Sequence, residues 1–135
     1  MKRFTETEKW KDPWFRRLDG RLKLLWLWLC DQCDGAGIID PDMELAAFQI
    51  GVAVSEVDLD GFGTRVKKIS NGKWMLTKFI PFQYGELSEA CPAHKPVFRS
   101  LENNRVLNGY SKGINTLQDK DKEKDKEKDR TRTPG

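Results

Sequence analysis

Two short motifs of metal-binding residue types stand far apart in the chain, Cys30-x-x-Cys33 and Cys91-x-x-His94. Together they supply four sulfur and nitrogen ligands, the number that a tetrahedral zinc site requires. However, Cys30 and Cys33 fall inside a predicted core helix without the glycine-rich loop that usually presents such pairs, and small thiols often fill protein cores. We therefore predict reduced cysteines, no metal and no other cofactor, with zinc as the alternative that the spacing leaves open.

Acid–base catalysis would have few groups to use, because His94 is the only histidine. The carboxylates at 40–42 and 56–60 could bind a divalent cation. Both groups lie at predicted helix starts, where capping and the helix dipole account for acidic side chains. The sequence also contains no glycine-rich phosphate loop. These observations predict a protein that is not an enzyme.

Charges of opposite sign are segregated along the middle of the chain. Between Leu24 and Asp60 there are acids but no Lys or Arg, whereas residues 61–85 include bases and no acid. Such segregation predicts one acidic face and one basic face. Because phosphates require clustered cations, the basic face is expected to bind DNA. The predicted DNA-binding residues are Arg65, Lys67, Lys68, Lys73, Trp74 and Lys78.

The basic residues flank a predicted β-hairpin. Asn71-Gly72 separates residues 66–69 from residues 74–77, and Asn followed by Gly suits the two positive φ angles of a type I′ turn. A two-residue turn places Lys68 opposite Met75. In this register the hairpin has an apolar side and a basic side.

Asp-Pro pairs and apolar spacing predict the helices around the hairpin. Asp12-Pro13 begins a short helix to residue 18, a core helix follows over 21–34, and Asp40-Pro41-Asp42 begins a third that ends before residue 51. Two further helices are expected over 55–69 and from 96 to about 104. Residues 79–84, which contain a proline, are expected to be extended, and residues 38–39 to form a short strand beside the hairpin.

The hairpin and its surroundings resemble a known family. Residues 73–85 (KWMLTKFIPFQYG), with Phe4–Trp10 and Asp34–Gly37, are similar to the N-terminal winged-helix domain of phage replication proteins of the replisome-organiser, DnaD-like type. The resemblance implies a winged helix-turn-helix that binds DNA in phage or prophage replication initiation or maintenance, in the cytoplasm of a bacterial host.

The acidic region argues against strong sequence specificity. In a helix-turn-helix the first residues of the second helix meet base edges, and here Glu56, Asp58 and Asp60 would be repelled by phosphates. We therefore expect weakly specific binding led by the hairpin. The alternatives are a winged helix that contacts a replication or host protein through acidic residues 31–60, as an inhibitor of a host nucleic-acid machine, and a transcription regulator.

The length of 135 residues and the net charge of +3 fit one domain and a tail. We expect an N-terminal arm over 1–11, a winged-helix domain over 12–110 with an extra C-terminal helix, and a disordered charged tail over 111–135. The expected fold class is mainly α with a small β-hairpin. The longest apolar run, 24–30, is too short to span a membrane, and no signal peptide precedes it, which predicts a cytoplasmic protein without a membrane partner.

Overall fold

The computed structural model describes residues 2–106, and the predicted charged tail lies outside that range. The described part is mainly helical with one three-stranded antiparallel sheet, which confirms the predicted fold class. In chain order the elements are α1 (Pro13–Arg17), α2 (Gly20–Gln32), β1 (Ile38–Ile39), α3 (Met43–Ile50), β2 (Val66–Lys68), β3 (Trp74–Leu76), α4 (Phe79–Tyr84) and α5 (Lys95–Asn103). Short 3-10 segments are Thr7–Lys11, Glu56–Arg65, Ser70–Gly72 and Pro92–His94.

Aspartate side chains begin the first three α-helices. The carboxylates of Asp12, Asp19 and Asp42 accept hydrogen bonds from backbone amides two or three residues further on, at 3.0, 2.9 and 3.0 Å. These amides have no partner within the helix, so each such cap contributes about 1 kcal/mol. In α3 the cap is Asp42 rather than Asp40, and Gly51 ends the helix in a left-handed conformation.

The sheet has the strand order β1-β3-β2, so β3 is central. Ile38 pairs with Met75 and Ile39 with Trp74, which confirms the predicted short strand beside the hairpin. β2 is the opposite edge and contributes Lys67 and Lys68.

Apolar side chains cover both faces of this sheet. The larger cluster joins α1, α2, α3 and the Glu56–Arg65 segment to the face that carries Ile39, Trp74 and Leu76. The smaller cluster joins α4 and α5 to the other face through Ile38 and Met75. The sheet is therefore an inner layer, and only its β2 edge lies next to exposed lysines. This arrangement is consistent with a winged-helix-like fold to which a C-terminal helix has been added.

The segment Glu56–Arg65 is a 3-10 helix, so the prediction of an α-helix that reaches residue 69 is wrong. Gly63 has φ 64° and ψ −136°, values outside the helical region, and the chain enters β2 at Val66. Glycine adopts such a conformation without steric cost and disfavours an α-helix by about 1 kcal/mol relative to alanine. Gly61 and Gly63 thus favour an interrupted 3-10 segment over a continuous α-helix.

Phe79–Tyr84 forms α4, so the prediction of an extended segment is also wrong. Pro81 is the third residue of this helix, where a backbone amide would have no intrahelical acceptor. Proline therefore costs little at this position. The predicted final helix is confirmed as α5, with Pro96 in its first turn.

The N-terminal residues pack on the body of the protein. Arg3 donates hydrogen bonds to the carbonyl oxygen of Cys30 at 2.9 Å and to the sulfur of Cys33 at 3.4 Å. Gln83 donates to the carbonyl of Phe4 at 3.0 Å. These contacts hold the segment across the C-terminal end of α2 and beside α4.

Candidate nucleic-acid interface

The hairpin turn has three residues, and the predicted two-residue turn is wrong. The backbone amide of Ile69 donates to the carbonyl of Lys73 at 2.8 Å, so Ser70–Gly72 forms the connection. Asn71 and Gly72 have φ 70° and 74°, which are the positive angles the sequence predicts for this pair. The extra residue shifts the pairing by one position.

This shift changes which side chains are neighbours. Lys68 pairs with Trp74 rather than Met75, and Lys67 pairs with Met75. Paired residues share a face of the sheet, so the two lysines lie toward opposite faces. The expected division of the hairpin into an apolar and a basic side is therefore wrong. The lysines instead line the edge strand, between two apolar clusters.

Trp74 belongs to the core, with 6% of its surface exposed. Its indole N–H donates to the Glu56 carboxylate at 3.1 Å. Its inclusion among the DNA-contacting residues is not supported, because a buried ring has no free face for a base. Trp74 instead connects the sheet to the start of the 3-10 segment.

Arg65 and Lys68, two of the predicted DNA-binding residues, each lie beside a carboxylate and an aromatic ring of the same protein. Arg65 lies 3.3 Å from the Asp12 carboxylate, and its guanidinium is 4.2 Å from the ring centroid of Trp14. Lys68 is 3.9 Å from the Glu56 carboxylate and 6.0 Å from the ring centroid of Trp74. These contacts reduce the charge that either residue offers to an external anion.

Lys67 and Lys73 are the better candidates for an external contact. Within residues 2–106 neither ammonium has a described hydrogen bond or ion pair, and Lys67 is exposed while Lys73 is half-buried. Lys78, immediately before α4, is exposed as well, but it has an interaction within the protein. Lys67 and Lys73 can therefore meet the phosphates of a nucleic acid without first losing an internal partner.

The structure adds one cation that sequence reasoning missed. The Ser70 hydroxyl, in the hairpin turn, donates to the carbonyl of Asn104 at the end of α5, at 2.9 Å. The next residue, Arg105, is exposed and has a positive φ of 60°. No local pattern indicates this neighbour, because the contact joins residues that are far apart in the chain.

The first residues of the 3-10 segment are held by the rest of the protein. The Asp58 carboxylate accepts from the Ser55 amide at 2.8 Å and lies 2.7 Å from the Arg21 guanidinium. Burial by itself raises the pKa of Asp58, but these hydrogen bonds outweigh it and hold that pKa below its ordinary value. The segment that would read base edges is thus short, broken and negatively charged.

The cysteine and histidine motifs have other contacts. Among the described residues no group of three or more His, Cys, Asp or Glu side chains is arranged to hold a metal ion. His94 accepts a hydrogen bond from the Ser88 amide at 3.0 Å. Burial raises the pKa of the Cys30 thiol to about 12 and that of Cys33 to about 11. Cys30 and Cys33 are therefore protonated thiols at neutral pH.

A cleft of about 950 Å³ lies between the N-terminal segment, α2, β3 and α4. Its apolar lining includes Trp26, Phe79 and Phe82. Its charged lining consists of the bases Arg3, Lys9, Arg65 and Lys78 and the acids Glu6, Glu8, Asp12 and Asp31. Because the cleft is lined by equal numbers of bases and acids, its charge favours neither an anionic nor a cationic ligand.

In comparisons with protein-family models, curated proteins and solved structures, no match to this chain was found. Within residues 2–106, none of the helices has both the length and the apolar character needed to cross a membrane.

Proposed function

We propose that this chain is a DNA-binding protein of weak sequence specificity that does not act as an enzyme. The observation that carries the proposal is the run of residues 61–85, which contains five cations and no acid and includes the exposed edge of the sheet. Lys67 and Lys73, on either side of the hairpin turn, are the proposed principal phosphate contacts. Arg105 would extend them, and Lys68, Arg65 and Lys78 would contribute less because each has an interaction within the protein.

The weak specificity rests on the 3-10 segment. A recognition helix reads bases through its first residues, and the corresponding residues here include Glu56 and Asp58. Their carboxylates oppose a close approach to phosphates. In keeping with the family resemblance, the proposed role is replication initiation or genome maintenance of a phage or prophage, in the cytoplasm of its host.

The test is a binding titration by fluorescence anisotropy with labelled single- and double-stranded DNA of two unrelated sequences, at low and moderate salt. Lys67→Ala and Lys73→Ala should each weaken binding by a similar factor on both sequences. Each should also lower the slope of log affinity against log salt by about 1, because each removes one phosphate contact and one released counterion.

Lys11→Ala is the matched control, since it also removes one positive charge. Lys11 is exposed, lies outside the hairpin and pairs with Glu8. It should leave the slope unchanged. Unaltered binding by the Lys67→Ala/Lys73→Ala double variant would disprove the role of the hairpin, and no binding by the wild type in low salt would disprove the function.

A further inference from the structure

The outward surface of α3 carries an apolar side chain that the fold does not cover. Phe48 is 83% exposed, and Leu45, one helical turn before it, is 42% exposed. The inward surface of the same helix is already complete, because Ala46 is buried and Met43 and Ile50 pack against the larger core cluster. The side chain of Phe48 is therefore not part of the core.

A neighbouring helix extends this surface. Trp28 of α2 donates its indole N–H to the side-chain oxygen of Gln49 of α3 at 2.7 Å, which joins the two helices. Leu24 lies one turn before Trp28 on α2 and is 45% exposed. Leu45 lies one turn before Gln49. The three exposed residues Leu24, Leu45 and Phe48 thus flank one interhelical contact.

The charges around these residues have one sign. Asp42 caps α3, and Glu44 lies one turn from Phe48 on the same helical face. No Lys or Arg occurs anywhere between residues 24 and 60. The nearest cations in sequence are used internally, since Arg21 pairs with Asp58 and Lys23 donates to the carbonyls of Arg16 and Leu18.

We propose that Leu24, Leu45 and Phe48 form a docking surface for a basic amphipathic helix of a partner protein. Apolar side chains of the partner would cover Phe48 and its neighbours, and its Lys or Arg residues would meet Asp42 and Glu44. The partner helix would carry its apolar anchors at i, i+3, i+4 and i+7, as amphipathic helices do when they bind an apolar surface. Three apolar residues with an acidic border are typical of a small, transient interface rather than an obligate one.

The probe is a fluorescent helical peptide with leucine at the anchor positions and lysine elsewhere, titrated into the full chain in the absence of DNA. We expect saturable binding that Phe48→Gln weakens about tenfold or more, as for a central anchor residue. Glu44→Gln should weaken it less and reduce its salt dependence. A peptide with the same leucines and glutamate in place of lysine should bind at least about tenfold more weakly.

Val57→Gln is the matched control, because Val57 is an exposed apolar residue on another acidic segment, Glu56–Arg65. It should not change binding. Equal binding of the lysine peptide to the wild type and to Phe48→Gln would overturn the proposal, as would equal binding of the glutamate peptide. Self-association of the chain that Phe48→Gln abolishes would assign the surface to a second copy and overturn it too. Because no DNA is present, these results are independent of the proposed function.

Discussion

The guanidinium of Arg21 lies 2.7 Å from the carboxylate of Asp58, and this pair connects the start of α2 to the 3-10 segment. Arg21 donates from the first turn of the core helix, so the position of Asp58 follows from the position of that helix. The same carboxylate accepts a hydrogen bond from the Ser55 amide. One side chain thus fixes both the start of the segment and its packing on the body.

Asp58→Asn is expected to lower the thermal midpoint at pH 7 by several degrees, since loss of a capping interaction costs about 1 kcal/mol. The pKa of Asp58 is held below its unfolded value, so its stabilisation is present above the unfolded pKa of about 4 and is lost as the pH falls through the folded pKa. The difference between variant and wild type should therefore shrink in acid. Thermal melts at pH 7 and about pH 3 test this, with Asp60→Asn in the same segment as the control. If the difference in thermal midpoint between Asp58→Asn and the wild type were the same at both pH values, the ionised Asp58 carboxylate would not be the source of the stabilisation.

Glu56→Gln should strengthen DNA binding, if the proposed function holds. Glu56 lies 3.9 Å from Lys68 and accepts from the Trp74 indole at 3.1 Å. Glutamine keeps an acceptor for the indole but removes the charge, so Lys68 becomes available to a phosphate. The salt slope should rise by about 1 with little change in stability. Glu56→Ala, which removes the acceptor as well, should also destabilise the fold by about 1–3 kcal/mol. Affinity unchanged in Glu56→Gln would exclude Lys68 from the interface.

Local chemistry predicted the helix starts correctly because each depends on a single side chain and the amides beside it. The cap of Asp12 is of this kind, and in α3 the same chemistry acts through Asp42, two residues after Asp40. The pairing of Ile38-Ile39 with the hairpin was also predicted, because a short strand at this place is expected in a winged-helix architecture. The positive φ angles at Asn71 and Gly72 followed from the same local reasoning.

The errors arose where tertiary packing decides between local alternatives. Asn-Gly suits turns of two or three residues, and the three-residue turn places Val66 opposite Leu76, where Val66 is buried in the larger cluster. Phe79 and Ile80 are apolar in either a strand or a helix, and their burial in two different clusters accompanies the helix. The pairing of Ser70 with Asn104 lies beyond any sequence pattern, and so the position of Arg105 was missed.

Cysteine reactivity should differ sharply among the three thiols. Burial raises the pKa of Cys30 to about 12 and of Cys33 to about 11. Cys33 is buried, whereas Cys30 and Cys91 are both partly exposed, so the raised pKa is what separates Cys30 from Cys91. At pH 8 a pKa of about 12 leaves roughly one Cys30 thiol in ten thousand as the reactive thiolate. Iodoacetamide followed by peptide mass mapping should label Cys91 first, and the other two only in denaturant. Equal labelling of Cys30 and Cys91 in the native protein would contradict the raised pKa of Cys30.

Gly37→Ala should destabilise the fold by about 1–3 kcal/mol. Gly37 has φ 81°, and a Cβ there would lie 2.7 Å from the Cβ of Phe79 and 3.0 Å from the carbonyl oxygen of Leu76. Both the conformation and the space thus exclude a side chain. Gly20→Ala is the contrasting control, because a Cβ on Gly20 has no neighbour within 4 Å and alanine favours a helix. Chemical denaturation of both variants measures the difference, and equal stabilities would show that the loop before β1 is not restricted.

The hairpin turn offers the most direct link between conformation and the proposed interface. Asn71 has φ 70°, which alanine adopts only at a cost of about 1 kcal/mol, whereas glycine adopts it freely. Asn71→Ala should therefore lower stability and misplace Lys67 and Lys73, so that DNA binding weakens on every sequence. Asn71→Gly should keep both properties. Thermal melts together with anisotropy titrations separate the outcomes: if Asn71→Ala loses stability but binds DNA as the wild type does, the position of the two lysines is not what determines affinity.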